Sequence, residues 1–339
     1  MTRPLVLACC FGALLSATPV FADGLECAPA PSPVVSLNYV SRYTDDDASR
    51  ATIDPLRVAE AEAAIAPVDA FILSLTEAVD AMYVAPVARR AEAAESILDQ
   101  LLAWAEADAL SDLGTETVGL TIGSRYAALA LVHWQTLPYA FDHPARPRVL
   151  EWLDLRMDEQ QTFWETAPEG ARSGNLRAWA GLAAAGVAVQ TSDAGRMVWA
   201  ENAISEVICT AEADGSLPQE MTRGRLALQY QLHAIAPLVT AAALLEREGH
   251  AVSRACDGAL HRIVEFALSD LFDGSKTAEI TGKTQNFFDG SAELQKFQLA
   301  WIEPYLALRH NEDLALMADD LAPLSNSKLG GNQTALWGH

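Results

Sequence analysis

Apolar residues recur at three- and four-residue spacing along almost the whole chain, which is the pattern of amphipathic α-helices. The Ala-rich segments with this period are 56–81 (with Pro67 inside), 86–110, 116–136, 147–164, 174–191, 194–213, 221–248, 252–271 and 291–309. No run of alternating, β-branched residues stands out, so the sequence predicts an all-α protein. Turn signals such as Asp214-Gly215 separate many of the segments, and helices joined by short loops pack as antiparallel neighbours. This pattern favours a helical toroid or an irregular bundle.

Residues 1–22 have the composition of a secretory signal peptide. Arg3 is followed by a short apolar run, and small residues precede Asp23 at the expected cleavage site. A buried N-terminal helix is the alternative. The remaining residues, 23–339, contain no Gly/Ser-rich or charge-rich linker and no other apolar run long and unbroken enough to span a membrane. We therefore expect one exported, periplasmic domain without a membrane anchor, acting as a monomer.

The formal net charge of −22 makes nucleic acid and anionic membrane surfaces poor partners. An acidic substrate would require the arginines to be concentrated in a cleft while the acids cover the outside. Three cysteines follow the leader, which leaves at least one unpaired thiol. Cys209 and Cys256 are one possible pair, and two buried free thiols are the alternative.

The sequence predicts neither a metal site nor a cofactor. The seven histidines are scattered, and none lies at helical spacing from another histidine or a cysteine. No glycine-rich phosphate loop opens a helix. Two polar segments, 41–54 and 273–290, are long enough to be lids or binding loops, with plain surface loops as the alternative.

The helix predicted at 221–248 contains the first candidate site. Arg223 and Tyr230 lie seven residues apart, so a continuous helix places them on one face, roughly 10 Å apart along the axis. Arg225 lies near the start of this helix, and His233 follows Tyr230 by three residues. Pro237 predicts a kink beyond Tyr230 that opens this face. A fixed cation and a phenol that face one cleft suit a lyase of acidic sugars, although an arginine paired with a surface acid and a tyrosine in the core are the structural alternatives.

The second candidate site is the segment 172–179, which begins an Ala-rich helix. Asn175 precedes the apolar pattern, so it is a candidate helix N-cap or a substrate-facing amide. Trp179 lies one helical turn further along.

At these two segments the chain resembles the exported alginate lyase family, the poly(β-D-mannuronate) lyases. The first family signature, Asn-Asn-His, one residue, Tyr-Trp-Ala, aligns with the segment 174–180, Gly-Asn-Leu-Arg-Ala-Trp-Ala. The second, a Leu-Pro turn and Glu before a helix with Arg, Ala-Leu-x-Tyr and Pro-Leu, is matched by Gly215, Leu217, Pro218, Glu220, Arg223, Ala227, Leu228, Tyr230, Pro237 and Leu238. Similarity in the same order extends through 41–43, 50–52, 102–105, 301–305 and 329–331, which covers nearly the whole mature chain.

The resemblance implies an incomplete α/α toroid with a groove for an acidic polysaccharide. It also implies β-elimination at the uronate C5–H, with departure of the 4-linked sugar. The family roles fall on Asn175 and Arg223 as groups that neutralise the substrate carboxylate, and on Tyr230 as the acid and a candidate base. The segment 41–54 corresponds to the family lid, so Arg42 and Tyr43 are expected substrate contacts, with Arg225, Trp179 and His233 as further candidates.

Three positions of the first signature depart from the family. Gly174 stands for its first Asn, Ala178 for its Tyr, and Leu176 for the histidine expected at proton abstraction. Leucine cannot titrate, so the chain uses tyrosine alone, uses another group such as His233, or is inactive. The sequence therefore predicts a polyuronate lyase, of mannuronan or a related glucuronate polymer. The alternative is a non-catalytic acidic-polysaccharide-binding or export-associated protein with the same fold.

Overall fold

The computed structural model describes residues 29–47 and 50–338. The predicted signal peptide and Cys27 lie outside the described residues. The helices are α1 (Pro55–Val84), α2 (Val87–Glu106), α3 (Glu116–Thr121), α4 (Gly123–Thr136), α5 (Ala145–Thr166), α6 (Asn175–Thr191), α7 (Ala194–Ile208), α8 (Pro218–Met221), α9 (Ala227–Arg247), α10 (Ala255–Asp270), α11 (Ser275–Thr281), α12 (Ile302–Leu308), α13 (Glu312–Leu321) and α14 (Gln333–Trp337). Single 3₁₀ turns lie at Glu169–Ala171, Gly224–Leu226, Val252–Arg254, Lys296–Leu299 and Ser327–Leu329.

Extended structure is minor in the described part of the chain. The strand β1 (Ser36–Leu37) pairs in parallel with β2 (Asp112–Leu113), and β3 (Ser325–Asn326) pairs antiparallel with β4 (Gly331–Asn332). Each of these strands has two residues, so the prediction of an all-α protein is confirmed.

The long helices form an inner and an outer set. The inner helices α1, α4, α6 and α9 contact one another in that order, and α12 packs on the far side of α9. The outer helices α2, α5, α7 and α10 follow inner helices along the chain, and α2 packs on α5 while α7 packs on α10. The C-terminal segment with β3, β4 and the turn at Ser327–Leu329 contacts α1, α4 and α9. The result is an incomplete ring of helical hairpins with its inner helices around one cleft.

Helix α6 lies at the centre of the packing, against α4, α7 and α9. Its buried face is dominated by small side chains, which allows the neighbouring backbones to approach closely. Large aromatic residues fill the space between the other hairpins, and Trp104 of α2 stacks on Phe71 of α1 with ring centroids 4.1 Å apart.

Helix α9 with its preceding turn, Gly224–Arg247, is long and apolar enough to span a membrane, with a mean hydropathy of 1.3. In the fold, however, 89% of its most apolar window is buried, as expected for the central helix of a protein core. By length and hydropathy this run meets the criterion for a span, so the expectation that residues 23–339 contain no such run is wrong on that count.

Several predicted boundaries are wrong. The helix expected at 221–248 begins at Ala227, because Gly224 has a φ of +56° that no right-handed helix accommodates. The helix expected at 291–309 shrinks to α12, in which Pro304 occupies the first turn, where its missing N–H costs no hydrogen bond. The segment 273–290 is not a plain loop, because it contains α11 between the left-handed glycines Gly274 and Gly282.

A disulfide joins Cys209, at the end of α7, to Cys256, at the start of α10. Their Cα atoms lie 5.4 Å apart, and the bridge closes 47 residues of sequence. Of the alternatives open from sequence, the paired cysteines are therefore correct. The bridge ties α10 to the loop that leads toward α8 and Arg223.

Candidate active site

The inner helices enclose a cleft of about 500 Å³. Its walls come from α1, α3, α4, α6, α9, the segment 39–50 and the C-terminal Lys328. The cleft contains seven of the eight residues proposed from sequence: Arg42, Tyr43, Asn175, Trp179, Arg223, Tyr230 and His233. A smaller cavity of about 220 Å³ adjoins it, and Asn175, Leu176 and Arg223 line both. The volume and the polar lining suit a small ligand or part of a polymer.

Tyr230 is the centre of a cluster of donors at one wall of the cleft. Its hydroxyl accepts a hydrogen bond from Nη2 of Arg42 at 3.0 Å and contacts the hydroxyl of Tyr43. Burial is the main cause that raises the pKa of Tyr43 to about 12, so the Tyr43 phenol stays protonated. Burial alone would lower the pKa of Arg42, but the two neighbouring phenols outweigh it and raise that pKa. A fixed cation and a protonated phenol thus meet at the Tyr230 oxygen.

Arg223 lies over the face of Tyr230, with its guanidinium carbon 4.5 Å from the ring centroid. A 3₁₀ turn at Gly224–Leu226 separates Arg223 from the helix that contains Tyr230, so the continuous helix expected over both residues is not formed. The side chain is only 7% exposed, and Nη1 donates to the backbone oxygen of Arg50 at 3.2 Å. Its buried Nε has no hydrogen-bond partner among the described residues. A largely buried cation that lines the cleft suits an anionic ligand.

From the segment 41–54, residues 41–43 and Arg50 line the cleft, and contacts near the start of α1 anchor it. Asp54 caps α1 through the backbone N–H groups of Leu56 and Arg57. Arg57 pairs in turn with Asp45, at 2.7 Å. A backbone bridge between Tyr43 and Ile53 closes the segment into a hairpin-like loop. These contacts hold Arg42 and Tyr43 over Tyr230, as expected for a lid.

Asn175 is not the N-cap of α6. It is the first residue of the helix, and Gly174 occupies the capping position. The Asn175 backbone N–H donates to Oε1 of Glu220 at 2.7 Å, and its side-chain Nδ2 lies 3.1 and 3.0 Å from the two Glu220 oxygens. Glu220 therefore sits at the N-terminus of α6, where the helix dipole favours a carboxylate.

Leu176 and Trp179 of α6 line the cleft together with His233 of α9, which follows Tyr230 by three residues. The Trp179 indole donates to Nε2 of His233 at 3.0 Å. Because an indole N–H only donates, Nε2 is the acceptor and a neutral His233 carries its proton on Nδ1. His233 is open to the cleft yet deeply enclosed, and this enclosure lowers its pKa to about 4, assisted by Arg42, Arg125, Lys328 and Arg223. It is thus a neutral donor at pH 7 rather than a base.

Three residues that the sequence did not single out lie together in the cleft. Asp69 of α1 forms a two-pronged ion pair with Arg125 of α4, at 3.0 and 2.9 Å, and also contacts Nζ of Lys328. Burial and Arg125 lower the pKa of Lys328 to about 8. Two cations share one carboxylate, so this Arg125–Lys328 cluster has a net positive charge. The only sequence signal for this cluster was the position of Lys328 directly before the Leu329-Gly330-Gly331 motif.

Arg225 is the exception among the proposed site residues. Its guanidinium donates to Asp289 at 3.1 Å and to Ser291 at 3.0 Å, outside the lining of the cleft. Arg225 was a candidate because it lies near the start of the same predicted helix, and the structure does not place it with the other candidates in the cleft. The segment 273–290 supplies Asp289, and none of its described residues lines either cavity.

No group of three or more His, Cys, Asp or Glu side chains within 29–47 and 50–338 is arranged to hold a metal ion. The site instead combines phenols, guanidinium groups and an amide.

The fold and the cleft define a protein of the α/α-toroid class with a cation-lined groove. A model of the alginate lyase family matches residues 127–277. Over 324 residues the chain is 27% identical to an alginate lyase of Cobetia marina, covering 93% of this chain and 84% of that protein. An alginate lyase of Azotobacter vinelandii is also 27% identical, with 92% and 84% covered. The chain is thus similar to alginate lyases over nearly its whole length.

Solved structures agree on the architecture. Alginate lyase A1-III from Sphingomonas species A1 matches with a TM-score of 0.72 and 22% identity, covering 93% of this chain and 87% of that one. A variant of A1-III complexed with a tetrasaccharide matches with a TM-score of 0.72 and 20% identity, over the same shares of both chains. These matches confirm the prediction of an incomplete α/α toroid.

Proposed function

We propose that this protein is a polysaccharide lyase that cleaves alginate, or a related polyuronate, by β-elimination. The observation that carries the proposal is the Tyr230 hydroxyl, which accepts from Arg42 and contacts Tyr43 while Arg223 covers its ring. Neither Arg42 nor Arg223 forms an ion pair with a carboxylate in the described part of the chain. Similarity to alginate lyases over 93% of the chain supports the same reaction.

The reaction needs the C5 proton to become acidic. A uronate carboxylate beside C5 acidifies that proton only when positive charge and hydrogen bonds stabilise the developing enolate. Arg223 supplies for this task a largely buried cation that forms no ion pair with a described carboxylate. The buried, low-dielectric position strengthens that interaction relative to one at the surface.

Tyr230 serves both proton transfers in this scheme. As a phenolate, stabilised by the donors Arg42 and Tyr43, it takes the proton from C5. The C5–H electrons form the C4=C5 double bond, and the C4–O4 bond breaks. The Tyr230 hydroxyl then gives its proton to O4 of the leaving sugar, which regenerates the phenolate. The products are an unsaturated uronate end and a free hydroxyl, so no oxidant or co-reactant is required.

The wall formed by α6 determines which polymers fit this scheme. Leu176 does not titrate, and His233 is neutral with its Nε2 occupied by Trp179. One phenol acting as both base and acid requires H5 and O4 on the same face of the ring. They share a face in D-mannuronate and D-glucuronate and lie on opposite faces in L-guluronate and D-galacturonate. We therefore expect cleavage of mannuronate or glucuronate linkages.

The charge distribution supports a polyanionic substrate. The whole chain has a net charge of −22, yet the cleft gathers Arg42, Arg50, Arg125, Arg223 and Lys328. Such a local reversal of sign attracts a polyanion that the outer surface repels.

We also propose that the protein is exported to the periplasm and acts there as a monomer without a membrane anchor. The leader-like composition of residues 1–22 supports export. The Cys209–Cys256 disulfide supports an oxidising compartment.

A panel of polymers tests the function. Purified protein is mixed with polymannuronate, glucuronan, polyguluronate and polygalacturonate, and the ultraviolet absorbance of the unsaturated product is followed. We expect absorbance to rise with the first two and to rise at least about a hundredfold more slowly with the others. Binding to all polymers without any rise would contradict the lyase and indicate a binding protein. Equal rates on both pairs would contradict the single-phenol scheme.

A further inference from the structure

Glu220 is completely buried between α8 and the first turn of α6, yet no step of the proposed elimination uses it. Its Oε1 accepts from the Asn175 backbone N–H at 2.7 Å and from Nδ2 at 3.1 Å. Its Oε2 lies 3.0 Å from the same Nδ2. The whole carboxylate is thus directed at one residue, and that residue lines the cleft.

Gly174 leaves the space for this arrangement. A Cβ at position 174 would lie 2.8 Å from Oε1 of Glu220 and 2.8 Å from Cγ of Gln219. Any other residue would displace the carboxylate or the start of α6. The glycine that departs from the family signature therefore has a structural reason in this chain.

The contact decides how the Asn175 side chain is turned. An ionised carboxylate only accepts hydrogen bonds, so it holds the amide NH₂ end. The other end, Oδ1, accepts no hydrogen bond from any described residue, although Asn175 is only 3% exposed. Asn175 also lines both cavities. With Glu220 charged, the cleft meets the carbonyl end of the amide, which repels a carboxylate.

We propose that Glu220 is a positioning residue that sets which end of the Asn175 amide faces the substrate. Ionised Glu220 holds the NH₂ group and turns Oδ1 toward the cleft. Neutral Glu220 donates its O–H to Oδ1, and the NH₂ group then turns toward the uronate carboxylate. The inference rests on the proposed function because the ligand is a uronate.

The surroundings of Glu220 set the direction of the pH effect. Burial raises the pKa of Glu220, while the Asn175 hydrogen bonds and the Arg223 charge act in the opposite direction. Arg223 is the charged side chain that acts on it from the α8–α9 turn, and α6 contributes the positive end of its dipole. Since the net shift is upward, Glu220 becomes neutral as the pH falls through that raised pKa. Affinity for a uronate should rise in the same interval.

Binding of a mannuronate trisaccharide tests the proposal without turnover. Dissociation constants are measured by calorimetry between mildly acidic and neutral pH, in the Tyr230→Phe background. In that background we expect Kd to fall about tenfold on acidification, as one charged hydrogen bond is gained. Glu220→Gln should bind about tenfold more tightly at neutral pH and show no such fall, because the introduced amide donates to Asn175 Oδ1 at every pH.

Asn175→Ala is the matched control. It should abolish the effect of Glu220→Gln on affinity, which a merely structural role of Glu220 would leave in place. The Asn175→Ala variant also separates the contribution of His233. Protonated His233 attracts the same ligand at low pH, and it still does so when Asn175 is replaced. Asn175→Ala alone decides the question if Glu220→Gln does not fold.

Two results would overturn the inference. The first is a fall of Kd on acidification that is equally large with Asn175 and with Asn175→Ala. The second is an affinity at neutral pH that Glu220→Gln leaves unchanged. Failure of the lyase proposal looks different, because the trisaccharide would still bind while the Tyr230-containing protein produced no unsaturated product. Absence of any binding would overturn both.

Discussion

The two walls of the cleft differ in what remains available to a ligand. On the α9 wall, Arg223 and Arg42 surround Tyr230 and form no ion pair within the described residues. On the α6 wall, Asn175 is held by Glu220, and Trp179 by His233. Leu176 lies between them and offers no polar group. Both walls derive from helices of the same ring, so the fold alone does not assign the chemistry. We expect the chemistry at the α9 wall, because the cations there form no ion pair with a described carboxylate.

The largest expected effect comes from removing the hydroxyl at the centre of the α9 wall. Tyr230→Phe should reduce kcat by about 10³-fold, because one group serves as base and acid. Binding should change little, since the ring and its contact with Arg223 remain. Product absorbance and calorimetry measure the two quantities. A kcat within about tenfold of the unaltered protein would remove Tyr230 from its role.

Arg223→Met should lower kcat/KM by about 10²-fold, because the developing enolate loses its buried cation. Arg225→Met provides a matched control, with the same residue type two positions away but directed at Asp289. It should keep nearly full activity. Similar losses in both variants would indicate a general effect on folding, which thermal unfolding followed by circular dichroism would reveal.

His233→Gln asks whether the α9 histidine that accepts from Trp179 of α6 supplies a base. Glutamine keeps an acceptor for the Trp179 indole but cannot take a proton, so we expect activity within about tenfold of the unaltered protein. The pH profile should keep its shape between about pH 5 and 8, because His233, with its pKa lowered to about 4, is neutral throughout. A loss as large as that of Tyr230→Phe would make His233 the base.

The smallest expected effect concerns the Arg125–Lys328 cluster. The pKa of Lys328 is lowered to about 8, so its charge is present below pH 8 and is lost as the pH rises above it. KM for polymannuronate should therefore rise about fivefold between about pH 7 and 9. Lys328→Arg keeps the charge and should flatten that rise. An equal rise in both proteins would mean that the cluster does not contact substrate.

Part of the site can be predicted because its residues are close in sequence. Arg223 and Tyr230 are expected together, and they are, although a 3₁₀ turn at Gly224–Leu226 interrupts the continuous helix expected over both residues. Arg225 is also near the start of the predicted helix, but residues two positions apart face different sides, and Arg225 contacts Asp289 instead of the cleft. Periodicity identifies the long helices well, and it misses α13 and the C-terminal turns, where the apolar pattern is short.

Other features depend on contacts that no local pattern shows. Asp69 and Lys328 lie 259 positions apart and meet only because the C-terminal segment packs between α1 and α9. Glu220 and Asn175 are 45 positions apart, and their contact changes Asn175 from an expected donor into a group already engaged.

By itself, the sequence determined the helical class, the acidic surface and the identity of most cleft residues, because apolar periodicity, charge and residue type are local properties. The tertiary structure decided which of these residues remain available to a ligand. Neighbours from distant segments decide three things. They decide whether a buried arginine is paired with a carboxylate, whether a histidine nitrogen is free to accept a proton, and which end of an amide side chain is free. Those neighbours are the basis for proposing that the reaction takes place at Tyr230 and that Glu220 controls Asn175.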